Sequence, residues 1–194
     1  MKSICVYCGA NFNGDPLVRE AVLQTAAFFT HENITLVYGG GRVGVMGLLA
    51  DAVLEKGGRA IGVIPKFLMD KEVGHTGLTQ LIVTENMHER KKQMADLADA
   101  FLVLPGGFGT LEEFFEVLTW LQLGLHAKPI GVLNVNGFYD LLFKQFDLMV
   151  EQRFLKPANR KLVLESGDIH TLLTQMGKFS PSPDDVWFRE QNLI

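Results

Sequence analysis

The sequence predicts an α/β protein with a Rossmann-like, doubly wound and mostly parallel sheet that carries helices on both faces. Short runs of β-branched and aliphatic residues alternate with longer segments in which apolar residues recur every three or four positions. This is the alternation of buried strands and amphipathic helices. Two clusters of glycine stand where a predicted strand leads into a predicted helix, which is where open parallel sheets bind ligands.

The elements follow one another without a repeat or a linker. Six apolar runs predict strands, at 4–7, 35–38, 60–64, 81–84, 101–104 and 130–133. Residues at helical spacing predict helices at 17–30, 46–56, 88–97 and 111–123. A helix at 139–151, an apolar run at 162–164 and a helix at 169–176 complete the fold. We therefore expect one domain over 1–179 and a C-terminal tail over 180–194.

Composition excludes several classes of protein. The chain has 194 residues, of which 47% are hydrophobic and 21% charged, as expected for one globular domain. A net charge of -4 disfavours a nucleic-acid partner. Apolar runs end well before the 18 residues of a membrane helix, so we expect no membrane partner and a cytoplasmic location. Cys5 and Cys8 are too few for a zinc site, and the histidines are scattered, so no metal is expected.

The glycine clusters hold eight of the 20 glycines, which are Gly39, Gly40, Gly41, Gly44, Gly47, Gly106, Gly107 and Gly109. Gly39, Gly41 and Gly44 match the spacing G-x-G-x-x-G, but Ile64 stands where a dinucleotide site needs an acidic residue. Neither cluster is followed by the Lys-Ser or Lys-Thr pair of a nucleoside-triphosphatase loop. Both clusters can still bring backbone N–H groups close to an anion at a helix start. The alternative is that the glycines only permit tight turns and close packing.

Thr110 and Glu113 have two interpretations. A threonine followed three residues later by a glutamate is the pattern of a capping box, in which both side chains satisfy free N–H groups at a helix start. In the functional interpretation, Thr110 and the glycine N–H groups bind a phosphate. Glu113 is then a carboxylate near the positive end of a helix, where its ionised form is stabilised.

The stretch 87–91, Met-His-Glu-Arg-Lys, places a basic pair at a predicted helix start. Basic side chains oppose the helix dipole there unless an anion is near, so Arg90 and Lys91 are candidate ligand contacts. The alternative is a solvated basic face that continues through Lys92.

Taken together, these motifs resemble the LOG ("lonely guy") family of cytokinin riboside 5'-monophosphate phosphoribohydrolases, which are often labelled lysine decarboxylases. The resemblance rests on four stretches, which are Tyr-Gly-Gly-Gly at 38–41, Gly-Val-Met-Gly at 44–47, residues 87–91, and Pro-Gly-Gly-Phe-Gly-Thr-Leu-Glu-Glu at 105–113. It extends from about Ser3 to Met176. The stretch 74–79, Gly-His-Thr-Gly-Leu-Thr, is similar to bacterial members, whereas Ala10 stands where many members have serine.

The resemblance implies hydrolysis of the N-glycosidic bond of a nucleoside 5'-monophosphate, such as AMP or isopentenyl-AMP, to the free base and ribose 5-phosphate. It implies that Arg90 and Glu113 are catalytic, with no cofactor, and that the protein is a homodimer with its site near the subunit interface. The implied substrate-binding residues are Glu72, Lys91, Gly107, Phe108, Gly109, Thr110, Leu111, Glu112 and Thr119. Gly40, Gly41 and Gly44 are the expected phosphate or nucleotide loop.

The residues agree with this chemistry, because an ionised carboxylate at Glu113 can stabilise an oxocarbenium-like sugar and position water. Two other functions stay open. A non-catalytic nucleotide carrier or sensor would share the glycine loops. A lysine decarboxylase would need pyridoxal phosphate on a lysine, and no context singles out Lys66, Lys71, Lys91 or Lys128.

Overall fold

A single parallel sheet organises the chain. The computed structural model describes residues 1–72 and 74–181, without the side chains of 70–72; of the predicted tail, 182–194 therefore lie outside the described residues. The seven strands are β1 (Ser3–Tyr7), β2 (Thr35–Tyr38), β3 (Ala60–Pro65), β4 (Gln80–Thr84), β5 (Ala100–Val103), β6 (Ile130–Leu133) and β7 (Val163–Ser166). Their order across the sheet is β4-β3-β2-β1-β5-β6-β7. All the paired strands run parallel, so the predicted fold class is confirmed.

Helices follow most of the strands. They are α1 (Pro16–His31), α2 (Gly44–Glu55), α3 (Lys66–Glu72), α4 (Met87–Asp96), α5 (Phe108–Leu123), α6 (Asp140–Glu151), α7 (Pro157–Arg160) and α8 (Ile169–Lys178). The sequence did not predict α3, α7 or a 3-10 helix at Val135–Gly137, since each is too short to show a helical period. The apolar run at 162–164 marks β7. No helix in the described part of the chain is long and apolar enough to cross a membrane.

Two separate apolar cores cover the two faces of the sheet. Side chains alternate between the faces along a strand. In β1, Ile4 and Val6 pack with α1, α2 and α8, whereas Cys5 and Tyr7 pack with α4, α5 and α6. Both cysteines are buried and unpaired, and burial raises the pKa of both thiols. Cys5 and Cys8 have the Cys-x-x-Cys spacing of a redox motif, but such a motif needs a reactive thiolate, which these buried thiols do not supply.

The doubly wound order creates a crevice between β1 and β5. The strands that follow β1 spread toward one edge of the sheet as far as β4, and the strands from β5 onward spread toward the other edge. The loops after β1 and β5 therefore diverge at this point, where ligands bind in open α/β sheets. A hydrogen bond from the Gly9 N–H to the Pro105 carbonyl, 3.1 Å long, joins the two loops.

Gly44 fixes the first of these loops against α2. It has a positive φ of 65°, and a Cβ there would collide with the backbone of Ala10 and Asn11. The close approach lets the Val45 and Met46 N–H groups donate to the Gly9 carbonyl, at 2.9 and 3.3 Å.

We expect Gly44→Ala to lower the free energy of unfolding by about 3 kcal/mol, because it combines left-handed backbone strain with a backbone clash. Gly57→Ala is the matched control, since Gly57 has a φ of 78° but open space where a Cβ would lie. That variant should lose only about 1 kcal/mol. Denaturant unfolding of both variants measures the difference, and equal losses would contradict the role of the close approach.

Candidate active site

A cavity of about 620 Å³ opens in the crevice between β1 and β5. Its walls are formed by the loops that follow these two strands and by the first turns of α2, α4 and α5, with Leu68 of α3 and Phe138 at its sides. The polar side chains that line the cavity are those of Arg90, Thr110, Glu113, Asn11, Asn13 and Asp15, and much of the remaining wall is apolar. The cavity thus combines a few convergent polar groups with an apolar surface, as small-molecule sites do.

Arg90 and Glu113 form an ion pair across this cavity. Arg90 Nη1 lies 2.9 Å from Glu113 Oε1, and about a tenth of each side chain is accessible to solvent. Arg90 Nε also donates to the carbonyl of Val63 in β3, at 3.1 Å. Gly39 leaves the space that the Arg90 Nη2 atom fills, since a Cβ at Gly39 would collide with it. The guanidinium is therefore held on three sides.

Burial sets the protonation behaviour of Glu113. Desolvation raises the pKa of Glu113, and the positive charge of Arg90 offsets only part of that rise. The sequence had suggested stabilisation of the ionised form by the helix dipole alone; in the fold, the larger effect is loss of water around the carboxylate. A carboxylate with a raised pKa is a better acceptor for a proton from water than an ordinary glutamate.

The start of α5 presents free N–H groups to the cavity. The helix begins at Phe108 with Gly107 as N-cap, and no side chain caps it. The N–H groups of Phe108, Gly109 and Thr110 therefore have no partner within the helix, and all three residues line the cavity. An anion fits such a site because N–H groups and the helix dipole both favour negative charge.

The capping-box interpretation of Thr110 and Glu113 is wrong. It needs a helix that begins after Thr110, but α5 begins earlier and places Thr110 inside its first turn. Thr110 is buried and packs tightly over Gly106, where a Cβ would collide with its hydroxyl. Glu113 pairs with Arg90 instead of with a backbone N–H.

The basic pair at 90–91 is also not a solvated face. Arg90 is 8% exposed, and the Lys91 ammonium lies 2.6 Å from Glu112 Oε1 and 2.9 Å from Glu116 Oε1. Burial lowers the pKa of Lys91, but the hydrogen bonds to these two carboxylates raise it overall. Only Lys92 is largely exposed, in a pair with Asp96. Lys91 and Glu112 thus join α4 to α5 and do not line the cavity.

The structure separates the remaining predicted residues. Phe108 is 92% exposed at the cavity mouth, whereas Leu111 is partly buried and packs against the core on the α5 side of the sheet. Thr119 lies on the exposed side of α5, where its hydroxyl donates to the Phe115 carbonyl at 2.7 Å. Glu72 ends α3, and its side chain lies outside the described structure. Substrate contact by these residues stays a prediction.

The first glycine cluster has less access to the cavity than expected. The described lining includes Val45 and Met46 but not Gly40, Gly41 or Gly44. The Val45 and Met46 N–H groups at the start of α2 already donate to Gly9, so this helix start has fewer free donors than α5. A phosphate role for the three glycines stays a prediction, and the stronger anion site is at α5.

Tyr139 supports the second loop and was missed in the sequence. Its hydroxyl donates to the carbonyl of Leu104, the residue before Pro105, at 2.8 Å. Its ring makes an edge-to-face contact with the ring of Phe138, with centroids 4.8 Å apart. Phe138 forms part of the cavity wall. The sequence signal that could have identified Tyr139 is its position, because Phe138 and Tyr139 both follow the carboxyl end of β6, at the edge of the sheet where ligands bind.

No lysine of the described structure lines the cavity. Lys91 is bound by two carboxylates, and the Lys128 ammonium donates to the Ala95 carbonyl at 2.7 Å. Lys66 is exposed, and the side chain of Lys71 is not described. None of the described side chains is therefore placed to carry a pyridoxal Schiff base in the cavity. Nor do three His, Cys, Asp or Glu side chains gather in a metal-binding group within the same part of the chain.

Comparisons with known proteins agree with this architecture. Residues 46–176 match the family model described as "Possible lysine decarboxylase". The chain is 42% identical over 185 residues to the cytokinin riboside 5'-monophosphate phosphoribohydrolase LOG7 of Arabidopsis thaliana, covering 95% of this chain and 85% of that protein. It is 42% identical over 184 residues to LOG2 of the same plant, covering 95% and 86%.

Solved structures share the fold at low sequence identity. The molybdenum cofactor binding protein of Rippkaea orientalis superposes with a TM-score of 0.67 at 20% identity, over 92% of this chain and 97% of that one. The Moco carrier protein of Chlamydomonas reinhardtii has a TM-score of 0.66 at 19% identity, over 91% and 95%. These similarities concern the fold alone.

Replacing Arg90 tests what holds the Glu113 carboxylate. We expect Arg90→Met to raise the pKa of Glu113 further, because burial persists while the nearest positive charge is lost. Titration of the side-chain carboxyl carbon by NMR measures this pKa. Lys91→Met is the matched control, since Lys91 lowers the pKa of Glu113 less than Arg90 does. An equal rise in both variants would contradict the dominance of the Arg90 pair.

Proposed function

Since the chain belongs to the LOG family of cytokinin riboside 5'-monophosphate phosphoribohydrolases, we propose that it hydrolyses the N-glycosidic bond of nucleoside 5'-monophosphates. The substrates are a cytokinin nucleotide such as isopentenyl-AMP and AMP itself. The products are the free base and ribose 5-phosphate. The observation that carries this proposal is the buried Arg90–Glu113 pair, which lies in one cavity with the uncapped start of α5.

The start of α5 suits the 5'-phosphate. The N–H groups of Phe108, Gly109 and Thr110 supply donors without a basic side chain, and Gly107 and Gly109 leave open space where a Cβ would lie. Phosphate bound there is remote from the glycosidic bond. Its binding energy can therefore orient the sugar against Glu113.

Glu113 then acts at the anomeric carbon. As the C1'–N bond breaks, its electron pair leaves with the base and positive charge develops on the sugar, which the carboxylate stabilises. Water forms the new C1'–O bond and gives a proton to Glu113. Glu113 then transfers this proton to the departing base. The raised pKa of Glu113 favours this acceptance. Arg90 fixes the carboxylate and offers its remaining N–H groups to ribose and phosphate oxygens.

The apolar wall suits the base. Phe12, Val18, Leu68, Met87 and Phe138 line the cavity, and such side chains favour a flat aromatic ring with an apolar substituent over a charged one. The cavity volume of about 620 Å³ lies within the usual range for small-molecule sites. We therefore propose that both the unmodified and the N6-prenylated base can enter.

We further propose that the protein acts as a homodimer, through the α5 and α6 side of the sheet. Phe115 of α5 is 38% exposed, and Leu141 and Leu148 of α6 are 79% and 45% exposed. Apolar side chains of this kind on adjacent helices favour a contact with a second copy. Thr119 lies on the exposed side of α5, where it is better placed for the substrate of a neighbouring copy than for its own cavity.

A substrate panel tests the proposed reaction. Purified protein incubated with AMP and isopentenyl-AMP should release free base, as measured by chromatography, whereas the matching nucleosides should react at least about a hundredfold more slowly because they lack phosphate binding energy. Glu113→Gln should lower kcat by about a thousandfold and still bind ribose 5-phosphate.

Lys92→Gln is the control variant for this panel, since Lys92 is exposed and remote from the cavity. Full turnover in Glu113→Gln would overturn the assigned role. Tight nucleotide binding by the native protein without any release of base would instead favour a carrier or sensor.

The dimer has its own test. The native chain of 21.6 kDa should sediment at about twice that mass, and Leu148→Lys should shift it toward the monomer, because a charge is costly in an apolar contact. Leu23→Lys is the matched control, since Leu23 has a similar exposure of 39% but lies on α1, across the sheet. A native monomer, or an equal effect of both substitutions, would contradict the proposed surface.

A further inference from the structure

The segment 74–79 binds the first glycine cluster from outside the cavity. Gly74 forms an isolated antiparallel bridge with Gly41, and the His75 N–H donates to the Gly40 carbonyl at 3.0 Å. The segment lies between α3 and β4 and contributes nothing to the described lining of the cavity. An effect of this segment on the proposed reaction must therefore be transmitted through the glycines.

The His75 side chain ties this segment to α2. His75 is 6% exposed, and its Nε2 lies 2.9 Å from Oδ1 of Asp51. The Gly77 N–H donates to His75 Nδ1 at 3.1 Å, so Nδ1 is an acceptor and the proton is on Nε2, which donates to Asp51. Both ring nitrogens are thus used, one within the segment and one toward a different element.

The first glycine cluster also contacts the Arg90 guanidinium, on the side away from the segment 74–79. Arg90 Nη2 fills the space above Gly39. Gly40 has a φ of 76°, and its Cβ position is hemmed in by Ile64 and Leu81. The cluster therefore lies between the segment 74–79 and the guanidinium that pairs with Glu113.

Two of the three supports of Arg90 belong to regular secondary structure and the third belongs to a loop. Val63 belongs to β3, which is paired on both sides, and Glu113 belongs to the 16-residue helix α5, whereas Gly39 belongs to a loop of three consecutive glycines. Such a loop has unusual conformational freedom, so its shape depends on bonds from outside. The bridge between Gly74 and Gly41 and the hydrogen bond from the His75 N–H to the Gly40 carbonyl are such bonds.

We propose that His75 is a positioning residue for the reaction proposed above. Its bridge to Asp51 holds the segment 74–79 against the glycine cluster, and the cluster in turn holds Arg90 at its distance from Glu113. The expected change in kcat rests on the proposed function, whereas the expected displacement of Arg90 does not.

His75→Asn separates the two bonds of the ring. The shorter asparagine can still accept from the Gly77 N–H, as asparagine does two residues before a turn N–H, but it does not reach Asp51. We expect kcat per folded molecule to fall about tenfold to a hundredfold, the effect of a small displacement at a catalytic group. Asp51→Ala should give the same loss, and Asp51→Asn, which keeps an acceptor, should recover most of it.

The pKa of Glu113 supplies a second readout that does not depend on turnover. If Arg90 moves away, the pKa of Glu113 should rise in His75→Asn and in Asp51→Ala, as measured by NMR titration of its carboxyl carbon. The other charged groups that act on Glu113, Lys91 and Glu112, are unchanged in these variants. Loss of the negative charge of Asp51 would by itself lower this pKa, so a rise reports the displaced guanidinium.

The double variant with His75→Asn and Asp51→Ala should lose no more kcat than either single variant, because both substitutions remove the same bond. His31→Asn, on an exposed histidine at the end of α1, is the matched control and should change neither readout. If His75→Asn fails to fold, Asp51→Ala carries the same test. The proposal is overturned if these variants lose thermal stability while kcat per folded molecule and the pKa of Glu113 stay native. A native protein without turnover would defeat the proposed function, and the titration would still decide the role of His75.

Discussion

The ion pair between Arg90 and Glu113 is the interaction on which the site depends. It joins α4, which follows the edge strand β4, to α5, which follows β5 on the other side of β1. A buried carboxylate without a partner would be costly, so the position of each side chain constrains the other. The pair also places a positive and a negative charge of the cavity side by side. The strand order creates the crevice, and the pair makes the crevice chemically specific.

The two glycine clusters share a composition but differ in what surrounds them. The cluster before α5 leaves its helix start uncapped, and a buried threonine packs over Gly106. At the cluster before α2, the N–H groups of the helix start donate to the Gly9 carbonyl, and the Gly40 carbonyl accepts from the His75 N–H. The first arrangement leaves donors for an anion, and the second leaves a flat backbone surface for a guanidinium. Neighbouring hydrogen bonds therefore decide whether a glycine loop binds a ligand or supports a side chain.

Charge is arranged in layers between α4 and α5. The inner layer is Arg90 with Glu113, and the outer layer is Lys91 with Glu112 and Glu116. Because adjacent residues on a helix point in different directions, a single basic pair can serve both the cavity and the helix contact. Burial acts oppositely on the two layers. It raises the pKa of Glu113 despite its partner. In Lys91 burial lowers the pKa, but the two carboxylate partners outweigh it and raise the pKa overall.

The sequence by itself determined the alternation of strands and helices, the glycines at the strand ends, and Arg90, Thr110 and Glu113 as candidate site residues. These features are local, because periodicity and composition act over a few neighbouring positions. Only the tertiary structure decided that α5 begins at Phe108, since glycines at 107 and 109 disfavour a helix locally and a buried contact between Thr110 and Gly106 lies behind it. It likewise decided the partners of Arg90, Lys91 and His75. Those partners come from other elements, and their distances depend on how the helices pack against the sheet.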